Sequence, residues 1–281
     1  MRKIVIPTDF SETSMNAIKY ALALFKYDLC DFVVIHAFAD EVYENTRDMD
    51  REGFEIYKGR FQKKVEKQLQ EEVGAMLQTT ANPRHKYRFE ARFGSLVDET
   101  NDLIERDNSD IVVMGTRGKT GDKNVTFGSQ TLQVIKYVKC PVLAVPLGFE
   151  GYPVKKILFA TDYRIPYQRR ELKLLNVLGK NFGAQLTVVH FSEYEKRSHR
   201  QEDNRSFLEC CLDKARTSYL KHASNAITGG INQLLQEQDF DMLVMVNHRH
   251  SYMEELLYHS TIEKIGLEIK IPFLVLQNLH R

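Results

Sequence analysis

Between Met114 and Ile135 the chain runs Met114-Gly115-Thr116-Arg117-Gly118-Lys119-Thr120-Gly121-Asp122-Lys123-Asn124-Val125-Thr126-Phe127-Gly128-Ser129 and continues as a helical Gln130-Thr131-Leu132-Gln133-Val134-Ile135. Gly115 and Gly118 stand where a backbone that turns after a strand can approach a ligand with no Cβ in the way. Gly128-Ser129 opens a helix, whose first N–H groups are unpaired and lie at the positive end of the helix dipole. Arg117, Lys119 and Lys123 add charge of the same sign. This combination suits phosphate oxygens, the alternative being a glycine-rich surface turn with no ligand. Asp9 follows the apolar run Ile4-Val5-Ile6-Pro7-Thr8. A carboxylate there can accept hydrogen bonds from ribose hydroxyls or an exocyclic amine, or it can cap a helix that starts near Ser11 or Thr13.

Two familiar phosphate loops are excluded. Gly118-Lys119-Thr120 looks like the end of a Walker A loop, but the earlier glycine of that pattern falls on Val113, inside a strand. A dinucleotide G-x-G-x-x-G belongs after the first strand, where Pro7-Thr8-Asp9-Phe10-Ser11 contains no glycine. No Ser-His-Asp order, carboxylate pair or reactive Cys-His set stands out, and no base able to position water for slow ATP hydrolysis is apparent. The residues point to binding rather than to catalysis.

The elements that must position this loop occur twice. Lys3-Ile4-Val5-Ile6-Pro7-Thr8-Asp9-Phe10 lies over Lys156-Ile157-Leu158-Phe159-Ala160-Thr161-Asp162-Tyr163, and Phe32-Val33-Val34-Ile35-His36-Ala37 over Leu186-Thr187-Val188-Val189-His190-Phe191. Later matches, Asp110 over Asp241 and Pro141 over Pro272, have a shorter offset, because about 23 residues between roughly 40 and 86 are missing from the second copy. That stretch holds a charged helical segment at 54–77 with a stripe of Phe61, Val65, Leu69, Val73 and Leu77. In the first copy, strands at 4–7, 32–37, 87–93, 111–114 and 142–145 alternate with helices at 13–26, 54–77, 97–106 and 129–138. Runs such as Ile111-Val112-Val113 suit strands buried on both faces, so the expected fold is α/β, two tandem open parallel-sheet (Rossmann-like) domains covered by helices on both sides. The expected boundaries are 1–147 and 154–281, with a Gly- and Pro-containing linker at 148–153.

The 281 residues are 43% hydrophobic and 27% charged, enough for two globular cores. A net charge of +1 gives no general attraction to nucleic acid. No apolar run is long enough for a membrane span and Met1-Arg2-Lys3 leads directly into the first strand, so neither membrane insertion nor secretion is expected. The four cysteines, Cys30, Cys140, Cys210 and Cys211, form no CxxC and fit a reducing cytoplasm, each read as a small buried hydrophobe.

On Gly115, Gly118, Gly128 and Ser129, spaced G-x-x-G, nine residues, then G-[ST], the chain resembles the universal stress protein family. Residues 4–11, 33–37 and 141–146 resemble that family's first, second and final strands, and the likeness covers essentially the whole chain as a tandem of two domains. It implies an adenine-nucleotide α-hydrolase-like fold and ATP as ligand, with or without Mg²⁺. It also implies adenosine contacts at Asp9 and Ala37, and phosphate contacts at Gly115, Gly118, Gly128, Ser129 and Gln130. Pro7, Thr8, Met114 and Arg117 complete the expected binding set. The family's final strands pair across a two-fold axis, which implies a homodimer or, in a tandem chain, internal pairing of 142–145 with 273–276.

The second copy departs from the pattern. Its counterparts of the three glycines are Val246, Arg249 and His259, bulky residues that would fill the phosphate volume, and only Ser260 and Asp162 are retained. Asn247-His248-Arg249-His250 and His259 offer a metal site, an anion site or a solvated polar loop, without the spacing of an HExxH pair. The expectation is a stress-response sensor or regulatory module that binds adenine nucleotide through its first domain, with an architectural second domain. The rivals are a nucleotide-free scaffold and an adenylyl-transferring enzyme. The S-G-G-x-D-S or H-I-G-H loops of such enzymes are absent from Thr8-Asp9-Phe10-Ser11-Glu12-Thr13.

Overall fold

A computed structural model describes residues 1–117, 127–150, 152–192, 194, 196–213, 215–223, 227–247 and 269–278. The first half comprises β1 (Arg2–Pro7), α1 (Glu12–Leu24), β2 (Cys30–Ala37), α2 (Ala39–Asn45), α3 (Arg51–Thr79), β3 (His85–Arg92), α4 (Leu96–Asp107), β4 (Ile111–Gly115), α5 (Ser129–Tyr137) and β5 (Val142–Val145). The second comprises β6 (Lys156–Thr161), α6 (Arg169–Phe182), β7 (Gln185–Phe191), α7 (His199–Cys211), β8 (Arg216–His222), α8 (Ile227–Glu237), β9 (Met242–Asn247) and β10 (Phe273–Gln277).

All ten strands form one sheet in the order β3-β2-β1-β4-β5-β10-β9-β6-β7-β8. Pairing is parallel within each half, and β5 meets β10 antiparallel, Leu143 opposite Leu274. The alternation of the strands sorts their side chains to two faces: Ile4 and Ile6 enter one core, Val5 the other, all fully buried. Both cores contain residues of both halves, so the apolar layer crosses the β5–β10 seam without a break. Because the halves meet head to head, the carboxyl edge of the first lies on the same side of the sheet as the amino edge of the second.

The segment shortened in the second half is helical. α3 has 29 residues where α7 has 13, and the seven-residue α2 has no helical counterpart among the described residues. The expected stripe on α3 is corrected at its end: Val65, Leu69 and Val73 are buried, but Leu77 is exposed and Met76 is buried instead. Steps of four overshoot a 3.6-residue turn by about 40° each, so the fourth such step leaves the buried face and a step of three restores it. The cysteine reading holds for buried Cys30 and Cys140 and fails for exposed Cys210 and half-buried Cys211. Adjacent helical residues point about 100° apart, and Leu208 already marks the buried side of α7. No described helix is long and apolar enough to cross a membrane.

Candidate functional site at the carboxyl edge of the first half

Strand order reverses between β1 and β4, since β2 and β3 lie on one side of β1 and β4 and β5 on the other. In an open parallel sheet a crevice forms at such a point, outside the carboxyl ends of the strands. Pro7 ends β1, Ala37 ends β2 and Gly115 ends β4, so the turns that follow these three adjacent strands surround one place.

The β1–α1 turn is tightly built. Asp9 Oδ1 accepts from the Ser11 N–H at 3.1 Å, the Thr8 hydroxyl oxygen accepts from the Phe10 N–H at 3.0 Å, and Phe10 occupies the left-handed region at φ 62°. Ser11, rather than Asp9, caps α1 by accepting from the Ser14 N–H. The buried Thr8 hydroxyl also donates to Glu72 Oε1 of α3 at 2.9 Å. His36, one residue before Ala37, donates through Nδ1 to the Thr8 carbonyl at 2.7 Å, and its ring lies 4.8 Å from that of Phe10. Its Nε2 is 3.3 Å from Glu41 of α2. The long α3 and the α2 that has no described counterpart therefore buttress this turn from behind.

The β4–α5 connection closes on itself, since the Gly128 N–H donates to the Thr116 carbonyl at 2.8 Å and the Thr131 hydroxyl to the Gly115 carbonyl at 3.0 Å. Side chains cap the first turns of α1, α3, α4 and α7, yet α5 opens on Gly128 with none. Ser129 and Gln130 are exposed there, and Gln130 Nε2 reaches Asp40 Oδ2 of α2 at 3.4 Å. Arg117 is half-buried at the other end of the loop; Gly118, Lys119 and Lys123 lie outside the described residues.

Three expected roles change in this setting. A Cβ on Gly115 would come within 2.6 Å of Thr13 Cγ2 and 3.1 Å of the Thr13 backbone, so this glycine is required by the packing of α1 on β4, whatever binds above it. Thr8 and Met114 turn their side chains into the protein, Thr8 toward Glu72 and Met114 into a core, and present only backbone at the edge. Phe127, which spacing did not single out, is buried and packs with its ring tilted at 5.6 Å from that of Phe273 of β10, so the loop's far end is anchored on the second half. Asp40, close to Gln130, also carried no sequence signal.

The corresponding edge of the second half retains the turn and loses the room. Thr161 and Asp162 accept from the Tyr163 and Arg164 N–H groups at 3.1 and 2.9 Å, Tyr163 has φ 55°, and its ring lies 5.0 Å from His190. Burial, with Arg197 next, lowers the His190 pKa below the usual histidine value. In place of Ala37 stands buried Phe191, seated over Gly230 of α8, where a Cβ would come within 2.8 Å of the ring. Val246 is buried where the first half has Gly115. The path from Asp162 to the start of α6 at Gln168 is longer than that from Asp9 to Ser11. Asn247 belongs to no solvated loop: its amide donates to Gln277 Oε1 at 2.9 Å and to the Ile135 carbonyl of α5 at 3.2 Å. His248, Arg249, His250, His259 and Ser260 lie outside the described residues. No group of three or more His, Cys, Asp or Glu able to hold a metal ion occurs among the described residues.

A parallel α/β unit whose strand order reverses beside its first strand, written twice in one chain, defines a tandem α/β fold. The model of the universal stress protein family matches residues 1–146 and 153–277, and the chain belongs to that family. The universal stress proteins MJ0531 and MJ0577 of Methanocaldococcus jannaschii are 32% and 29% identical over 155 and 157 residues. Each alignment takes in 51% of this chain and 81% or 94% of the relative, as a single-domain protein against a tandem one should. A universal stress protein from Archaeoglobus fulgidus superimposes over 98% of this chain and 96% of its own, with a TM-score of 0.64 at 18% identity, and so shares the whole two-half fold.

Proposed function

We propose that the first half binds an adenine nucleotide, ATP in the first instance, and that the protein acts in stress response as a regulatory module rather than as a dedicated enzyme. The observation that carries this reading is the uncapped start of α5 at Gly128, exposed at the strand-order reversal beside Asp9 and Ala37. The first-turn N–H groups of α5 suit phosphate oxygens, and the Asp9 carboxylate suits a ribose hydroxyl or the base amine. Ala37 offers a methyl group where Phe191 fills the second half, so one nucleotide per chain is the expected occupancy, with the second half as scaffold.

Occupancy has a physical route to the second half. Phe127 ends the loop and packs against Phe273, and the far end of α5 presents the Ile135 carbonyl to Asn247 and Gln277. A ligand that orders the start of α5 would thus bear on β10 at the seam and on its neighbour β9. Nucleotide released from denatured, purified protein and separated by anion exchange tests the reading. About one ATP, ADP or AMP per chain, or calorimetric ATP binding at that stoichiometry, agrees with it. Two per chain refutes the inactive second half, and none by either method favours a nucleotide-free scaffold.

A further inference from the structure

His36, one residue before Ala37 on β2, is only 6% exposed, yet both of its ring nitrogens meet oxygens that accept hydrogen bonds. Nδ1 lies 2.7 Å from the Thr8 carbonyl oxygen, and Nε2 lies 3.3 Å from Glu41 Oε1. A neutral imidazole carries a single N–H, and its other nitrogen is an acceptor. The shorter contact fixes that N–H on Nδ1, which leaves the Nε2 lone pair facing a carboxylate oxygen. An imidazolium removes this repulsion and suits both neighbours at once.

The other elements packed around the ring bring Phe10 at 4.8 Å from the turn after β1, Ala91 from β3, and Glu72 of α3, one bond removed, on the Thr8 hydroxyl. Glu90 and Arg92, which flank Ala91, alternate to the opposite face and pair there with Arg106 and Glu99. The helix that carries Glu41 has little else to hold it. α2 is seven residues long, its N-cap Phe38 makes no side-chain bond, and only Ala39 and Val42 are buried. A helix this short is marginal without tertiary contacts. Asp40, the residue before Glu41, accepts from Gln130 Nε2 at 3.4 Å at the start of α5. The contacts therefore run from the Thr8 carbonyl through the ring to α2, and on to the helix start that suits phosphate.

The second half keeps the histidine and lacks the bridge. His190 is 2% exposed and its ring lies 5.0 Å from that of Tyr163, but its Nδ1 has no partner among the described residues. Burial, with Arg197 next, favours its neutral form. Between these two histidines, only the one beside the candidate site is engaged through both nitrogens.

We propose that His36 is a proton-dependent positioning residue for the nucleotide site: as an imidazolium it ties α2 to the β1–α1 turn, and on losing its Nε2 proton to solvent it releases Glu41, and with it the helix whose Asp40 holds Gln130. The role rests on the adenine-nucleotide reading of the first half. Two effects act in the same direction. Release of α2 loosens Gln130, and a Glu41 carboxylate without its counter-charge adds negative potential beside an anionic ligand. ATP affinity therefore falls as pH rises through the range in which histidine ordinarily titrates, about 5 to 8.

Nitrogen-15 NMR of the His36 ring in the full chain tests the bridge without nucleotide. Both ring nitrogens should carry protons at about pH 5.5, and Nδ1 alone at about pH 8.5. Hydrogen-exchange protection of residues 39–45, corrected for intrinsic rates, should fall at least about threefold over that range. It should stay level in Glu41→Gln and in His36→Asn, whose amide keeps a donor for the Thr8 carbonyl. The calorimetric ATP affinity of the wild type relative to Glu41→Gln, a ratio in which the nucleotide's own ionisation cancels, should also fall at least about threefold. A neutral ring protonated on Nε2, or level protection of 39–45 in the wild type, overturns the proposal. A level ratio with ATP bound refutes the positioning role alone, whereas no ATP binding at any pH refutes the nucleotide reading and takes the positioning role with it.

Discussion

Glu171→Gln should stabilise the protein at neutral and alkaline pH, and by an amount that depends on pH in a defined way. Burial pushes the Glu171 carboxyl from an ordinary value of 4.5 up to about 7, against the lowering effect of its hydrogen bonds from Gln168 and Asn278. A carboxyl whose pKa is higher in the folded state binds its proton more tightly there. Its contribution to stability is therefore complete below about 4.5 and is lost as pH rises to about 7. At about 1.4 kcal/mol per pH unit, that interval amounts to about 3 kcal/mol once the group is ionised in both states. Glutamine cannot ionise and retains an acceptor for Gln168 and Asn278. Urea unfolding followed by circular dichroism, on both proteins from pH 4.5 to 8.5, isolates the effect, because every other titrating group cancels in the difference. The variant's relative stability should climb by about 3 kcal/mol between pH 4.5 and 8 and then level. A difference that stays flat across this range, or that slopes the other way, would refute a buried, proton-binding Glu171.

Gly115→Ala should cost about 1–3 kcal/mol by urea midpoint even without nucleotide, since the new methyl meets the Thr13 backbone, which cannot turn away; unchanged stability would return this glycine to a purely ligand-facing role. Phe127→Ala should cost about 3 kcal/mol and also weaken ATP binding by calorimetry, because the ring that fixes the loop's end on Phe273 is gone. Asn247→Ala should cost about 1–2 kcal/mol at the seam through the lost bonds to Ile135 and Gln277, with ATP stoichiometry per chain unaltered.

The parts legible in the sequence were those set by local pattern. β4 opens on the β-branched run Ile111-Val112-Val113, short and apolar throughout, which suits a strand buried on both faces. The helix at 54–77 was visible in its apolar spacing, although the last position slipped from Met76 to Leu77. α2 escaped because only Ala39 and Val42 of its seven residues are buried and Phe38 supplies no cap, so neither period nor start signal is present. The candidate site is marked in the sequence by its glycines and its helix start. Why each residue stands there is not, because the reason lies in a distant neighbour: Gly115 answers to Thr13, Thr8 to Glu72, and Phe127 to a phenylalanine in the other half.

The two halves share a turn and differ in the space beside it. Thr161-Asp162-Tyr163 repeats the turn of Thr8-Asp9-Phe10 down to the two side-chain acceptors, the left-handed aromatic residue and the histidine ring beside it. Those bonds satisfy backbone N–H groups that would otherwise be orphaned where a strand turns into a helix, so the turn has a structural reason to persist with or without a ligand. Retention of Asp162 is then no sign of a second nucleotide site, and by the same reasoning Asp9 alone is weak support for the first. What differs between the halves is space: a methyl at Ala37 against the ring of Phe191, and a Gly115 shaped by α1 against Val246. The β4–α5 connection and the room beside it, rather than the turn after the first strand, set the first half apart. The second half keeps its own value through Phe273, Asn247 and Gln277, which hold that connection in place from across the seam.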